Sequence, residues 1–172
     1  MKPSKLILTL IVFTAMCMNI CACKGNTEGG KSGKVLIAYF SATGTTAKAA
    51  NLIAEETGGE LYRIEPEQPY TGADLNWNDK ASRSSVEMND PNSRPAIKGN
   101  KANIADYDTV YIGYPIWWGV APRIINTFIE SHDLKGKTIR PFATSGGSGI
   151  EQSVEELKKA YPTLNWQEGK LY

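Results

Sequence analysis

Three short stretches of this sequence combine donors, bare backbone and flat rings at spacings that suit a ligand. They are Ser41-Ala42-Thr43-Gly44-Thr45-Thr46, Tyr114-Pro115-Ile116-Trp117-Trp118-Gly119-Val120-Ala121-Pro122 and Thr144-Ser145-Gly146-Gly147-Ser148-Gly149. The first follows an apolar run and opens a helix-like stretch. Unpaired N–H groups and the helix dipole at such a point favour an anion. The hydroxyls of Ser41, Thr43, Thr45 and Thr46 add donors, and Gly44 allows close backbone approach. The stretch contains no arginine and matches neither G-x-x-x-x-G-K-[ST] nor G-x-G-x-x-G. Neutral donors suit a phosphate monoester carried on a larger ligand; the alternative is a well-capped turn between strand and helix.

In the second stretch, Pro115 and Gly119 bracket adjacent tryptophans, which cannot easily face one core together. At least one indole is therefore expected at the surface or against a ligand, where its flat face stacks on a conjugated ring. The alternative puts one indole in the core and the other over a helix. In the third stretch, Gly146 and Gly147 present bare amides beside Ser145. Its alternative is a glycine-rich helix entry capped by Ser148. Phosphate donors, a stacking surface and a close backbone contact are together what a flavin mononucleotide needs.

These stretches meet only if the elements between them place them at one rim. Val35 to Phe40 is a nearly continuous apolar run, as in a strand covered on both faces. Thr45 to Thr57 has helical spacing with Thr46, Ala49, Ala50 and Ile53 on one side, and Gly58-Gly59 ends it. Residues 60–65 read as a second strand, 109–115 as a third, 137–144 as a fourth and 164–172 as a fifth. Pro122 opens a helix lined by Ile124, Ile125, Phe128 and Ile129. Ser148 to Glu151 reads as a capping box opening another, with Ile150, Val154 and Leu157 inward. Residues 65–103 are rich in Pro, Asn, Asp and Ser, with a helix expected somewhere within 74–88. The alternation predicts an α/β doubly wound parallel sheet, with ligands beyond the carboxyl ends of the strands.

Ser41 to Thr46 resembles the S/T-x-T-G-x-T phosphate loop of flavodoxins. Residues 113–122 resemble the ring-binding loop of the flavodoxin-like oxidoreductases, and 144–149 their third loop. The resemblance covers Lys34 to the C-terminus. It implies strand order 2-1-3-4-5 and FMN as cofactor. Ser41, Ala42, Thr43, Gly44, Thr45 and Thr46 would hold the phosphate. Pro115, Ile116, Trp117, Trp118 and Gly119 would flank the ring, and Ser145, Gly146 and Gly147 would touch its polar edge. The flavin would carry the chemistry, so no catalytic acid or base is required. The implied function is electron transfer from a reduced donor, NAD(P)H among the candidates, to a quinone or protein acceptor. A one-electron carrier without a small-molecule substrate, or a non-redox binding lipoprotein on the same fold, are the alternatives. Two departures stand out. Shuttling flavodoxins are strongly acidic and this chain is not, which implies a less extreme low potential. The chain also stops where the family adds a fifth helix beside the first. That leads to the expectation of a bare apolar sheet face, and with it a homodimer contact, a partner, or reduced stability.

The whole chain has 172 residues, enough for one domain, and a formal charge of +1. That balance gives no electrostatic case for nucleic acid or an anionic membrane. Residues 1–22 stand apart: Lys2 and Lys5, then an apolar stretch from Leu6 to Met18 too short to span a membrane, then Ile20-Cys21-Ala22-Cys23. This exit resembles a bacterial lipobox with Cys23 as the lipidated residue. The expectation is an export signal over 1–22, a flexible tether over 23–33, an FMN-binding domain over 34–172, and an envelope lipoprotein held to a bacterial membrane. Without the signal, 17 basic side chains face 18 acidic ones. All three cysteines, Cys17, Cys21 and Cys23, precede residue 24, so the domain has no disulfide, thiolate metal site or cysteine nucleophile. His132, the only histidine, reads as a helix C-terminal partner. Tyr70, Trp77 and Arg94 either shape a substrate mouth over the ring or anchor a long loop; anchoring is the commoner role, and they stay outside the expected site.

Overall fold

The computed structural model describes residues 33–100 and 103–172. The expected signal, Cys23 and all of the tether but Gly33 lie outside the described residues. The elements run β1 (Val35–Tyr39), α1 (Thr45–Thr57), β2 (Glu60–Arg63), α2 (Arg83–Asn89), a 3-10 turn (Ile104–Asp106), β3 (Thr109–Pro115), α3 (Arg123–Glu130), β4 (Thr138–Thr144), α4 (Glu151–Ala160), β5 (Asn165–Trp166) and β6 (Lys170–Leu171).

Alternation of side chains along the strands builds two cores. Leu36, Ala38 and Phe40 of the first strand region, Val110, Ile112 and Tyr114 of β3, and Ile139 and Ala143 of β4 face the larger one. There α3 contributes Ile124, Ile125, Phe128 and Ile129, and α4 contributes Val154 and Leu157. Ile37, Tyr39 and Phe142 face the other side, where α1 lays down Ala49, Ala50 and Ile53. The helix is where its apolar spacing predicts, and it stops at Gly58, whose φ of 67° is left-handed and whose N–H reaches the Ala54 carbonyl at 2.8 Å.

The sheet is parallel throughout, in the expected order β2-β1-β3-β4-β5. From β1 the chain goes outward to β2, then returns across β1 to β3. The crevice for a ligand in such a sheet lies at that reversal, beyond the carboxyl ends of β1 and β3. Tyr39 stands opposite Gly113, and Gly113 opposite Phe142. A Cβ at Gly113 would fall 2.0 Å from the Phe142 ring, so the glycine makes room for that ring on the α1 side.

The fifth strand differs from its expected form. It is two short pieces, both on β4: β5 pairs with Thr138 and Ile139, and β6 with Phe142 and Ala143. Between them lies Gly169, where a Cβ would fall 2.8 Å from Val154 and 2.9 Å from Ile150. That close approach to the larger core interrupts the ladder.

Four α-helices are present among the described residues, and none follows β6. The face beside α1 is nevertheless not the bare apolar surface expected. Tyr172 stands edge-on to Phe142, with ring centroids 6.0 Å apart at 77°, and Lys170 Nζ lies 4.3 Å from the Tyr172 ring centre. Arg140 is exposed and lines the same shallow depression with Glu56 and Glu168. One aromatic ring and several charges take the place of a continuous apolar face.

The region 65–103 is ordered by its own polar bonds. Residues 66–97 leave and return side by side: Pro66 bridges Ile97, Glu67 N–H reaches the Ala96 carbonyl and Lys98 N–H the Glu65 carbonyl, each at 2.8 Å. The helix inside it, Arg83–Asn89, falls at the end of the expected window, where Ser82 caps it, accepting from Ser85 N–H at 3.3 Å. Arg94 clamps the returning limb with a two-pronged pair to Glu130, at 2.8 and 2.9 Å.

Candidate functional site

The loops after β1, β3 and β4 converge on one cleft of about 560 Å³, within the range of small-molecule sites. Ala42, Thr43, Thr45 and Thr46 line it from the first loop. Pro115, Ile116, Trp117 and Trp118 line it from the second, and Ser145 and Gly146 from the third. Ser41, Gly44, Gly119 and Gly147, also expected at the site, are not among the residues that line the cleft.

Ser41 is buried, and its hydroxyl accepts from Gly44 N–H at 3.1 Å. That bond fixes the turn in which Gly44, at φ 94°, becomes the N-cap of α1. No side chain caps this helix and its first turn holds no acid. The first amides of α1 therefore open into the cleft with the positive end of the dipole behind them. A Cβ at Gly44 or at Gly146 would meet nothing within 4 Å, so there is open space on both sides of the mouth. Thr43 and Thr45 are exposed, whereas Thr46 is buried with its hydroxyl 2.8 Å from that of Thr144. That pair ties the start of α1 to the end of β4 and so holds the first and third loops together.

In the second loop, Trp117 and Val120 exchange both backbone hydrogen bonds at 3.0 Å. The residues between them are both left-handed, Trp118 at φ 47° and Gly119 at φ 82°. This is the pattern of a type I′ turn, whose first central position normally holds Asn, Asp or Gly. Trp118 sits there in a conformation that is costly for a bulky side chain. The turn divides the two indoles. Trp117 points inward and makes edge contacts with Phe40 (5.6 Å) and Tyr70 (5.5 Å), while Trp118 is left 50% exposed. Gly119 lies against Gln152, which a Cβ would approach to 3.0 Å, so α4 backs the turn.

The third loop corrects two expectations. Ser145 Oγ accepts from Gly147 N–H at 3.1 Å and from Ser148 N–H at 2.7 Å. Those amides are engaged within the loop, and Gly146 is the glycine that faces the cleft. Ser148 is not the cap of α4: that helix starts from Ile150 without a side-chain cap. The serine-turn formed by Ser145 holds Ser148 away from the helix start.

Four lining residues were not among those expected: Thr144, Leu75, Trp77 and Ser84. The last three come from the 66–97 segment, whose irregular sequence has no periodicity to aim them. Tyr70, from the same segment, donates its hydroxyl to Glu87, which also pairs with Arg83, and the Arg83 guanidinium lies 4.1 Å over the Tyr70 ring. Burial, then the Glu87 bond, raises the Tyr70 phenol far above its ordinary range. It is a neutral brace between α2 and the Trp117 wall. Behind the second loop, the buried Tyr114 hydroxyl lies 3.0 Å from Ser153 Oγ, joining β3 to α4, and burial pushes its pKa up to about 12.

Residues 34–172 match the family described as Flavodoxin. The chain belongs to the flavodoxin family. Among solved structures, this flavodoxin-family chain is 69% identical to a candidate flavoprotein from Bacteroides eggerthii DSM 20697, over 80% of this chain and 87% of that one, with a TM-score of 0.80. It is 61% identical to another from Bacteroides uniformis ATCC 8492, over 81% of this chain and 89% of that one, also at 0.80. A flavoprotein from Lactobacillus acidophilus NCFM, solved in complex with FMN, shares the fold at 24% identity and a TM-score of 0.67, over 81% of this chain and 93% of that one. No curated protein matches the chain.

Proposed function

We propose that this chain binds FMN in the cleft at the ends of β1, β3 and β4 and works as an oxidoreductase. Electrons would come from a reduced donor, with NAD(P)H a candidate, and go to a quinone or protein acceptor. The observation that carries the reading is the uncapped start of α1 opening beside two exposed threonines and two divergent indoles. Membership of the flavodoxin family and the fold shared with an FMN complex support it.

The residues present fit the group. The first amides of α1 and the hydroxyls of Thr43 and Thr45 suit a phosphate monoester. Trp117, Trp118 and Pro115 offer flat apolar surface to a conjugated ring, and the Gly146 backbone suits its polar edge. When bound, the flavin supplies hydride and electron transfer, and the protein sets its position and potential. Among the described residues none of the side chains lining the cleft is charged, so the chain places no carboxylate against a reduced anionic ring. A less extreme low potential follows from that neutrality. The test is direct. Purified protein should be yellow and release FMN on denaturation, and NADH or NADPH should be consumed in the presence of a quinone. A colourless folded sample that refuses added FMN refutes the reading, and flavin without nicotinamide turnover points to the one-electron carrier.

The reading extends to the ends of the chain as proposals resting on sequence. Residues 1–22 would direct export, Cys23 would carry lipid, and residues 23–33 would tether the domain with a reach of about 17 Å. Intact mass of the protein from membranes, compared with Cys23→Ala, tests this: the variant should lose both the lipid mass and the membrane fraction.

A further inference from the structure

The 66–97 segment ends its inward course on side chains that the proposed cofactor site does not use. Trp77 is 70% exposed and Leu75 half-buried, and both line the cleft beside Trp118. An indole that open normally belongs to a loose loop, but this one is tightly held. Thr71 and Asp74 bond reciprocally: Thr71 N–H and Oγ1 donate to Asp74 Oδ2 at 2.8 and 2.7 Å, and Thr71 Oγ1 accepts from Asp74 N–H at 3.2 Å. On the far side Asn78 N–H reaches Asn76 Oδ1 at 3.2 Å and Ala81 N–H reaches Asp79 Oδ1 at 2.8 Å. Ser84 N–H closes the arc on the Asp74 carbonyl at 2.9 Å. Local side-chain bonds on both flanks therefore present Trp77 in advance of any ligand, which removes most of the ordering penalty for stacking on it.

Trp118, on the opposite loop, is also held outward, at the left-handed position of its turn. Two exposed indoles from distant segments thus share one mouth, and the cleft between them is lined by neutral side chains. A flat uncharged ring gains from the Trp77 face and meets no unpaired charge. A ligand with several formal charges finds no counter-ion there. We propose that Trp77, with Leu75, forms a second subsite for an uncharged planar aromatic molecule, outside the position of the cofactor ring that Trp118 flanks. The proposal rests on the reading of the three loops as the FMN site, because it assigns Trp77 to what FMN leaves open.

The test uses 2,3-dimethyl-1,4-naphthoquinone, whose substituted ring does not add thiols, titrated calorimetrically into the full-length FMN-loaded protein in the oxidised state. FMN affinity is measured separately. Trp77→Ala should weaken probe binding about tenfold, the scale of one lost stacking face, and leave FMN affinity within about threefold. Trp77→Phe, which restores a flat ring, should recover most of the loss. Equal probe binding by wild type and Trp77→Ala overturns the proposal and leaves the indole to a protein acceptor. A parallel loss of FMN in Trp77→Ala also overturns it, by placing Trp77 in the cofactor site. If the wild type takes up no FMN, the cofactor reading fails on its own. Trp77-dependent probe binding to the protein as isolated then upholds the subsite, and its absence refutes it.

Discussion

At the scale of single residues, the site is built by side chains held where they are locally disfavoured. Trp118 is the clearest. A left-handed backbone under a bulky side chain costs on the order of 1–3 kcal/mol. Trp118→Asn should therefore raise stability by about 1 kcal/mol in chemical denaturation, since Asn accepts that conformation. The same variant should bind FMN about tenfold more weakly, through loss of a stacking surface. Gain of stability without loss of affinity would show that the indole does not touch the flavin. His132 supplies a pH signature. Its Nδ1 lies 2.7 Å from the Phe128 carbonyl and its ring 4.3 Å from the Phe128 ring, at the end of α3. Burial lowers its pKa despite that carbonyl. The folded imidazole is then less basic than the unfolded one at about 6.5, so the unfolded chain binds the proton first as pH falls. Stability is full above that value and declines through the lower folded one. The carboxyls of Glu130, lowered by its bond from Arg94, and of Asp74, lowered by Thr71, titrate further down. Urea midpoints measured from pH 7 to 5 should fall in the wild type and stay flatter in His132→Gln.

At the scale of elements, sequence periodicity was a good guide wherever apolar spacing decides burial. α1, α3 and α4 bury the residues their spacing names, and β1, β3 and β4 lie where the apolar runs put them. It failed where polar bonds decide. The start of α4 is set by the Ser145 turn rather than by Ser148, and the course of 66–97 by serine, asparagine and aspartate side chains that bond locally. Three lining residues were missed for that reason; the clustering of Asn, Asp and Ser around Trp77 was the available signal. Gly113 tests the strand register. Alanine there meets the Phe142 ring, which is enclosed between α1 and Tyr172, so Gly113→Ala should destabilise by about 3 kcal/mol, the upper range for overpacking. A change below about 1 kcal/mol would mean that the ring has room to move.

At the scale of the whole molecule, the order of the sheet followed from the family resemblance, and the convergence of the three loops followed from that order. The treatment of the face beside α1 did not, because it depends on where Tyr172 and Lys170 come to rest. Tyr172→Ala should lower stability by about 1 kcal/mol, the worth of an edge-on aromatic pair, and speed amide exchange in β4. FMN at a hundred times its Kd should raise stability by about 2.7 kcal/mol, and a Tm independent of added FMN would contradict a folded-state site. The broken fifth strand has a consequence of another kind. A sheet can grow sideways only from a straight, unpaired border. Here one border is two fragments of two residues each, interrupted over residues 167–169, and the other is four residues with Glu60 and Arg63 exposed. Neither is a good template for a further strand, so at high concentration the folded chain should resist fibril growth and lateral self-assembly.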